Sequence, residues 1–172
     1  MNKHRIGRAS VPGALLVVLT LAALVAGALG APHSAQASPP RQGTTTVAVT
    51  PASAELQCGA TQDIAIRIND VTDLFGVDVR LTYDTDVLEV VDANPSAPGV
   101  QIASGDLPDV SAGAGYVQIN AVDVDTGAIS YAAIRLSPAP AQSGSGVIAS
   151  VTFRGKAAGT SPVTLVAVAL SD

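Results

Sequence analysis

From residue 44 onward, apolar and polar residues alternate in short runs. In 63–68, Ile64, Ile66 and Ile68 fall on one side and Asp63, Ala65 and Arg67 on the other; in 77–84, Val77, Val79, Leu81 and Tyr83 interleave with Asp78, Arg80, Thr82 and Asp84. A period of two marks strands with one face on a core and one in water. The same reading places strands over 44–50, which Pro51 stops, over 87–91, briefly over 100–103, then over 116–124, 128–136, 147–153 and 163–170. Clusters of Gly, Pro, Asn, Asp and Ser over 94–99, 111–115, 125–127, 137–140 and 143–146 supply the turns between them. Only 69–76 is compatible with a helical turn, with Leu74 and Phe75 plugging one end of the fold. The Asp125-Thr-Gly127 loop between two apolar runs predicts a hairpin. No 3.6-residue period persists and no βα alternation occurs, so the expected fold is all-β, an antiparallel two-sheet sandwich. Its core should contain Ile64, Ile66, Ile68, Val79, Leu81, Leu88, Val147, Val151 and Phe153.

The first 37 residues follow a different pattern. Lys3, Arg5 and Arg8 precede an uncharged apolar run over 14–29, and Ala35-Gln36-Ala37 supplies small residues suited to cleavage. Sixteen helical residues reach only about 24 Å, short of a hydrocarbon core of about 30 Å. The segment 1–37 therefore reads as a secretory signal peptide, 38–43 as a polar, Pro-rich leader, and 44–172 as one domain. Membrane contact is expected only through the signal segment, if it stays uncleaved.

Removing 1–37 leaves six cations against fourteen carboxylates, a net charge of −8, and no histidine. Nucleophile systems that need a His base, and zinc or copper sites built on His, lose their usual parts. Six cations scattered singly do not form a nucleic-acid footprint, so no nucleic-acid partner is expected. Cys58 has no internal partner for a disulfide and reads as a half-buried residue near a turn. No cofactor and no metal are expected.

The run 74–91, Leu-Phe-Gly-Val-Asp-Val-Arg-Leu-Thr-Tyr-Asp-Thr-Asp-Val-Leu-Glu-Val-Val, resembles the signature of the cohesin domain family. Three later blocks are similar to that family in the same order: Thr126 to Ala132, Ser145 to Phe153, and Gly159 to Leu165 followed by Leu170-Ser-Asp172. The likeness covers most of 47–172 and is closer to type II cohesins than to type I. Without the family, Tyr83 suits the rim of a core with its ring buried, and Asp84 suits the following turn by capping the amides of residues 85–87.

The resemblance implies a nine-stranded jelly-roll sandwich, non-catalytic, with one sheet offering a flat outer face to a dockerin-containing protein. On that implication Asp78, Arg80 and Thr82 face the partner, joined by Gln118, Asn120 and Ser130 from the hairpin. It also implies a secreted or cell-surface module of extracellular polysaccharide breakdown. The family's usual last strand, beside the first, is not expected within these residues: either the sequence is a fragment, or the strand over 44–50 is left with one unpaired edge.

Three other readings compete. Val122-Asp-Val-Asp-Thr-Gly127 resembles the Asp-Thr-Gly element of aspartic proteases, which requires two such aspartates sharing a proton and therefore a dimer. Asp123 and Asp125 also resemble the start of a calcium loop, but its twelfth position holds Ile134. A carbohydrate-binding module acting directly on polysaccharide shares the sandwich. It needs planar aromatic rows, and this chain has no Trp and only Tyr83, Tyr116 and Tyr131.

Overall fold

The computed structural model describes residues 43–172. The proposed signal and nearly all of the leader lie outside the described residues. Nine strands follow: β1 (Thr46–Thr50), β2 (Thr61–Leu74), β3 (Gly76–Thr82), β4 (Leu88–Val91), β5 (Ala103–Ser104), β6 (Gly115–Asp123), β7 (Ala128–Arg135), β8 (Gln142–Gly155) and β9 (Thr164–Ser171). A single 3-10 turn, Ser111–Gly113, is the only helical element among the described residues. One sheet runs β1-β2-β8-β4 with β5 also beside β8; the other runs β6-β7-β3-β9, and every strand pairing is antiparallel. This is the two-sheet sandwich that the alternation predicts, in the jelly-roll arrangement that the resemblance implies.

The core sits between the sheets and is filled by the apolar phase of each strand. Ile64, Ile66 and Ile68 of β2 meet Ile148, Ala149, Val151 and Phe153 of β8, while Val77, Val79, Leu81, Ile129, Tyr131 and Ala133 come from the facing sheet. Full burial of one such aliphatic side chain stabilises by about 1.5–3 kcal/mol, so these rows dominate the fold's free energy. Tyr83 is buried against Phe153 in an edge-to-face pair with ring centroids 5.1 Å apart. Burial raises the Tyr83 pKa, and repulsion from Asp123 and Glu89 adds to it. Asp84 turns the chain as expected: its Oδ1 accepts the Asp86 amide at 2.9 Å and its carbonyl accepts the Leu88 amide at 2.9 Å.

Several expectations need correction. Residues 69–76 form no helical turn; β2 continues through them to Leu74, and β3 starts at Gly76. Asp70 and Asp73 adopt positive φ, which Asp tolerates better than most residues, and their amides donate to Ser145 Oγ and Ser143 Oγ at 2.9 Å each. Those hydroxyls replace backbone acceptors where the ladder is interrupted. For the same reason 143–146, expected as a turn, is strand within β8. Leu74 is buried as expected, and Phe75 is half-buried.

Val147 is half-buried rather than in the core, because the β2–β8 register shifts between Ile66 and Arg67. That bulge leaves Val147 opposite Arg67 and hands the core position to Ile148. Leu88, at the start of an edge strand, is also only half-buried. Cys58 is exposed, on an isolated bridge to Gly155.

Candidate functional site

The face of interest is the outer side of the β6-β7-β3-β9 sheet. On central β3, register alternation leaves Gly76, Asp78, Arg80 and Thr82 pointing away from the core. Ala132 lies opposite Asp78 on β7 and Ser130 opposite Arg80; on β9, Ala169 lies opposite Asp78 and Ala167 opposite Arg80. The charged row is thus flanked by small side chains, and the surface is nearly flat. Arg80 Nε approaches Asp78 Oδ1 at 3.7 Å, with the Arg80 side chain mostly in water and that of Asp78 partly so. An exposed pair of this kind adds little to stability, which leaves both groups available to a partner.

At one end of the row is a shallow depression of about 280 Å³ lined by Asp78, Gln118, Ile119, Ala132, Ile134 and Ala169, among others. Ile119 and Tyr116 are exposed on β6 beside it. The face therefore combines one ion pair, a flat small-residue field and an apolar end.

Five of the six residues expected on this face lie there: Asp78, Arg80, Thr82, Gln118 and Ser130. Asn120 does not. The β6–β7 register shifts between Val117 and Ile119, so Gln118 is the extra residue of a bulge, and Asn120 pairs with inward-facing Tyr131. Its carboxamide turns to the other side, where Oδ1 accepts the Ile102 amide at 2.9 Å and Nδ2 donates to the Ile102 carbonyl at 2.7 Å. Asn120 fastens the segment that leads out of β4; it is not on the candidate docking face. Ile119, Ala132, Ile134 and Ala169 were not singled out from the sequence. Their strands were visible, but only the register places the four together.

The Asp-Thr-Gly segment is the turn of the β6–β7 hairpin. Asp123 Oδ1 accepts the amides of Asp125 at 3.0 Å and Thr126 at 3.1 Å. Hydrogen bonding from Thr126, then from Asp125, holds the Asp123 carboxyl below the usual carboxylate pKa. Gly127 has φ 73°, and any side chain there would collide with the Tyr83 carbonyl, so its identity is demanded by the backbone. Asp125 is exposed at the tip of this turn.

Arg135 is buried, with no carboxylate partner among the described residues. Its guanidinium donates to the Asp109 carbonyl and, at 2.9 Å, to the Pro140 carbonyl, tying together the loops on either side of the β6–β7 hairpin. A cavity of about 560 Å³ at one end of the sandwich is lined by residues that include Val49, Leu56, Ile64, Leu88, Phe153 and Val163. No titratable side chain lines it, so it has no means of acid–base chemistry.

Known proteins agree with this architecture. The chain is similar to a type II cohesin in a cohesin–X–dockerin complex from Acetivibrio cellulolyticus, with 20% identity over 70% of this chain and 75% of that one, and a TM-score of 0.55. A non-cellulosomal cohesin from the archaeon Archaeoglobus fulgidus is similar at 22% identity over 76% and 79% of the two chains, with a TM-score of 0.53. A type I cohesin–dockerin complex from Clostridium thermocellum gives 12% identity over 74% and 84%, with a TM-score of 0.55. Among curated proteins nothing matches. At these identities the solved structures speak for the fold, while the family model for the cohesin domain matches residues 45–172, nearly the whole described region. By that match, and by the two-sheet sandwich it predicts, the chain belongs to the cohesin family.

Proposed function

We propose that the chain is a non-catalytic receptor module that binds dockerin-bearing proteins through the outer face of the β6-β7-β3-β9 sheet. The observation that carries this reading is the row Asp78, Arg80 and Thr82 on a central strand, outside the core and bordered by alanines and Ser130. A flat sheet face with a central charge pair and an apolar end suits a protein partner better than a small molecule, which favours a concave pocket. The cohesin–dockerin complexes among the similar structures support a dockerin as that partner. In this reading Gln118 and Ile119 extend the contact, and Asn120 takes no part. The module acts after export, directed by the signal over 1–37, at the cell surface or in the medium, where it gathers enzymes of polysaccharide breakdown.

Direct sugar binding is less well supported, because Tyr83 and Tyr131 are buried and Tyr116 alone among the aromatic hydroxyls is exposed. The hydrolase reading is less well supported, because Asp125 sits exposed at the tip of the β6–β7 turn.

The test is to titrate residues 41–172 with calcium-loaded type I and type II dockerins, with Asp78 and Arg80 intact and with both replaced by Ala. Affinity should fall at least about tenfold, or about 1.4 kcal/mol, with the thermal midpoint unchanged. Unaltered affinity removes this face from consideration. No binding to either dockerin class removes the functional reading.

A further inference from the structure

The outer face of the β6-β7-β3-β9 sheet is divided along its length. Crossing from β6 to β9, one outward row is Tyr116, Ile134, Gly76 and Ser171, the next is Ile119, Ala132, Asp78 and Ala169, and the third is Ala121, Ser130, Arg80 and Ala167. The first two rows hold three large apolar side chains and a single charge, that of Asp78; the third holds Arg80 and no large apolar group. The depression beside Asp78 lies across the first two rows. Gly76, Ala132 and Ala169, small residues from three adjacent strands, leave it low, and Ile119, Ile134 and Asp78 stand around them. The bulge on β6 brings Gln118 to its rim as well. A β-carbon at Gly76 would come within 2.7 Å of the Ser171 hydroxyl and 3.6 Å of Ile134 Cγ1, so glycine keeps this space open.

The lining selects an apolar visitor. Ile119 and Tyr116 are 37% and 49% exposed, and no other described residue covers them. A subsite for a polar group presents buried donors or acceptors that await a partner. Here there are none: among the described residues the only buried side-chain polar atom without a partner is Gln101 Oε1, which lies elsewhere. The depression, of about 280 Å³, is also smaller than the roughly 300–1,000 Å³ pockets that enclose a free small molecule. Its occupant must therefore be held in place by contacts outside it. A side chain carried by a protein that already lies along the charged row meets that requirement.

Resting on the dockerin-binding reading above, we propose that this depression is the selectivity subsite of the docking face and takes one aliphatic side chain, of leucine or methionine size, from the partner. Asp78 and Arg80 orient the dockerin-bearing protein, and the apolar end decides which one is accepted. A partner with a small residue at this point leaves Ile119 and Ile134 uncovered. One with a carboxylate there must desolvate it against the carboxylate of Asp78, which costs more than the contact returns.

Residues 41–172 form one compact unit that contains the whole described core, and serve for the test. Calcium-loaded type I and type II dockerins are titrated against the unaltered chain, against Ala132→Leu, which fills the depression, and against Ile119→Asn, which makes one wall polar at an exposed position. For a dockerin that binds, each change should weaken affinity at least about tenfold, or about 1.4 kcal/mol. That loss should be the same at low and high salt, whereas the loss from replacing Asp78 and Arg80 by Ala should shrink as salt rises. Replacing the exposed aliphatic residues of that dockerin by Ala, one at a time, should reveal one whose truncation weakens binding to the unaltered chain and has much less effect on binding to Ala132→Leu. Thermal midpoints accompany each titration, and Ile119→Asn decides the matter if Ala132→Leu lowers its own midpoint. A dockerin that binds with an affinity altered by neither change overturns the subsite and leaves the docking face standing. A loss that vanishes at high salt, or truncations that cost the same against both chains, overturns it too. Failure of both dockerin classes to bind the unaltered chain overturns the functional reading and the subsite with it.

Discussion

Gln118 and Asn120 are two residues apart, and in an unbroken strand they would share a face. One bulge separates them, leaving Gln118 on the outer side and turning the Asn120 carboxamide onto the Ile102 backbone. Alternation reveals the period of a strand but not an interruption that exists only relative to its partner, and so Asn120 was legible as polar but not as structural. Asn120→Ala should therefore lower stability by about 1–3 kcal/mol, the cost of leaving buried partners unsatisfied, while dockerin affinity per folded molecule stays unchanged. Chemical denaturation alongside titration separates the two. Asp123 was legible as a turn residue, and its hydrogen bonds give it a pH dependence. Because the folded state lowers its pKa, it stabilises at pH above the unfolded value of about 3.9 and loses that contribution as pH falls through the folded value. Asp123→Ala should lower the thermal midpoint at neutral pH, and the gap from the unaltered protein should close as the solution is acidified below about pH 4.

At the scale of elements, nearly every strand was visible in the alternation, and the errors collect in β2 and β8. Each of these strands runs for 14 residues, and the two are held in register through shifts at Ile66/Arg67, Ile68/Val71 and Val71/Leu74. The Gly and Ser residues of 143–146 carry turn signals in any local reading, but here the serine hydroxyls take over ladder bonds from Asp70 and Asp73. The shift beside Ile66 also decides which of two adjacent apolar residues is core. Ile148→Ala should cost about 2–5 kcal/mol and Val147→Ala no more than about 1 kcal/mol, measured by urea unfolding. Equal losses would place the bulge elsewhere.

Across the whole molecule, fold class and family were readable because the Gly-Val-Asp run and the later blocks lie on strands in the expected order. The flatness of the docking face was not readable, since it depends on Ala132, Ala167 and Ala169 arriving beside Asp78 and Arg80 from chain positions far apart. An alanine in a strand carries no local sign of whether it floors a surface or fills a core.

The pairing of β2 with β8 also determines the order in which this protein can assemble. β8 is the central partner of its sheet, holding β2 on one side and β4 and β5 on the other, yet it is made of residues 142–155. Until a growing or refolding chain presents those residues, β2 has only β1 to pair with and β4 has nothing, and roughly the first hundred residues of the domain remain an incomplete sheet. Closing so distant a contact is slow compared with forming a local one, so the β6–β7 hairpin, joined by four residues, is positioned to form early and the β2–β8 seam late. During that interval the apolar face of β2 is exposed to solvent. The time to reach β8, rather than the final free energy, then sets the molecule's exposure to misassembly.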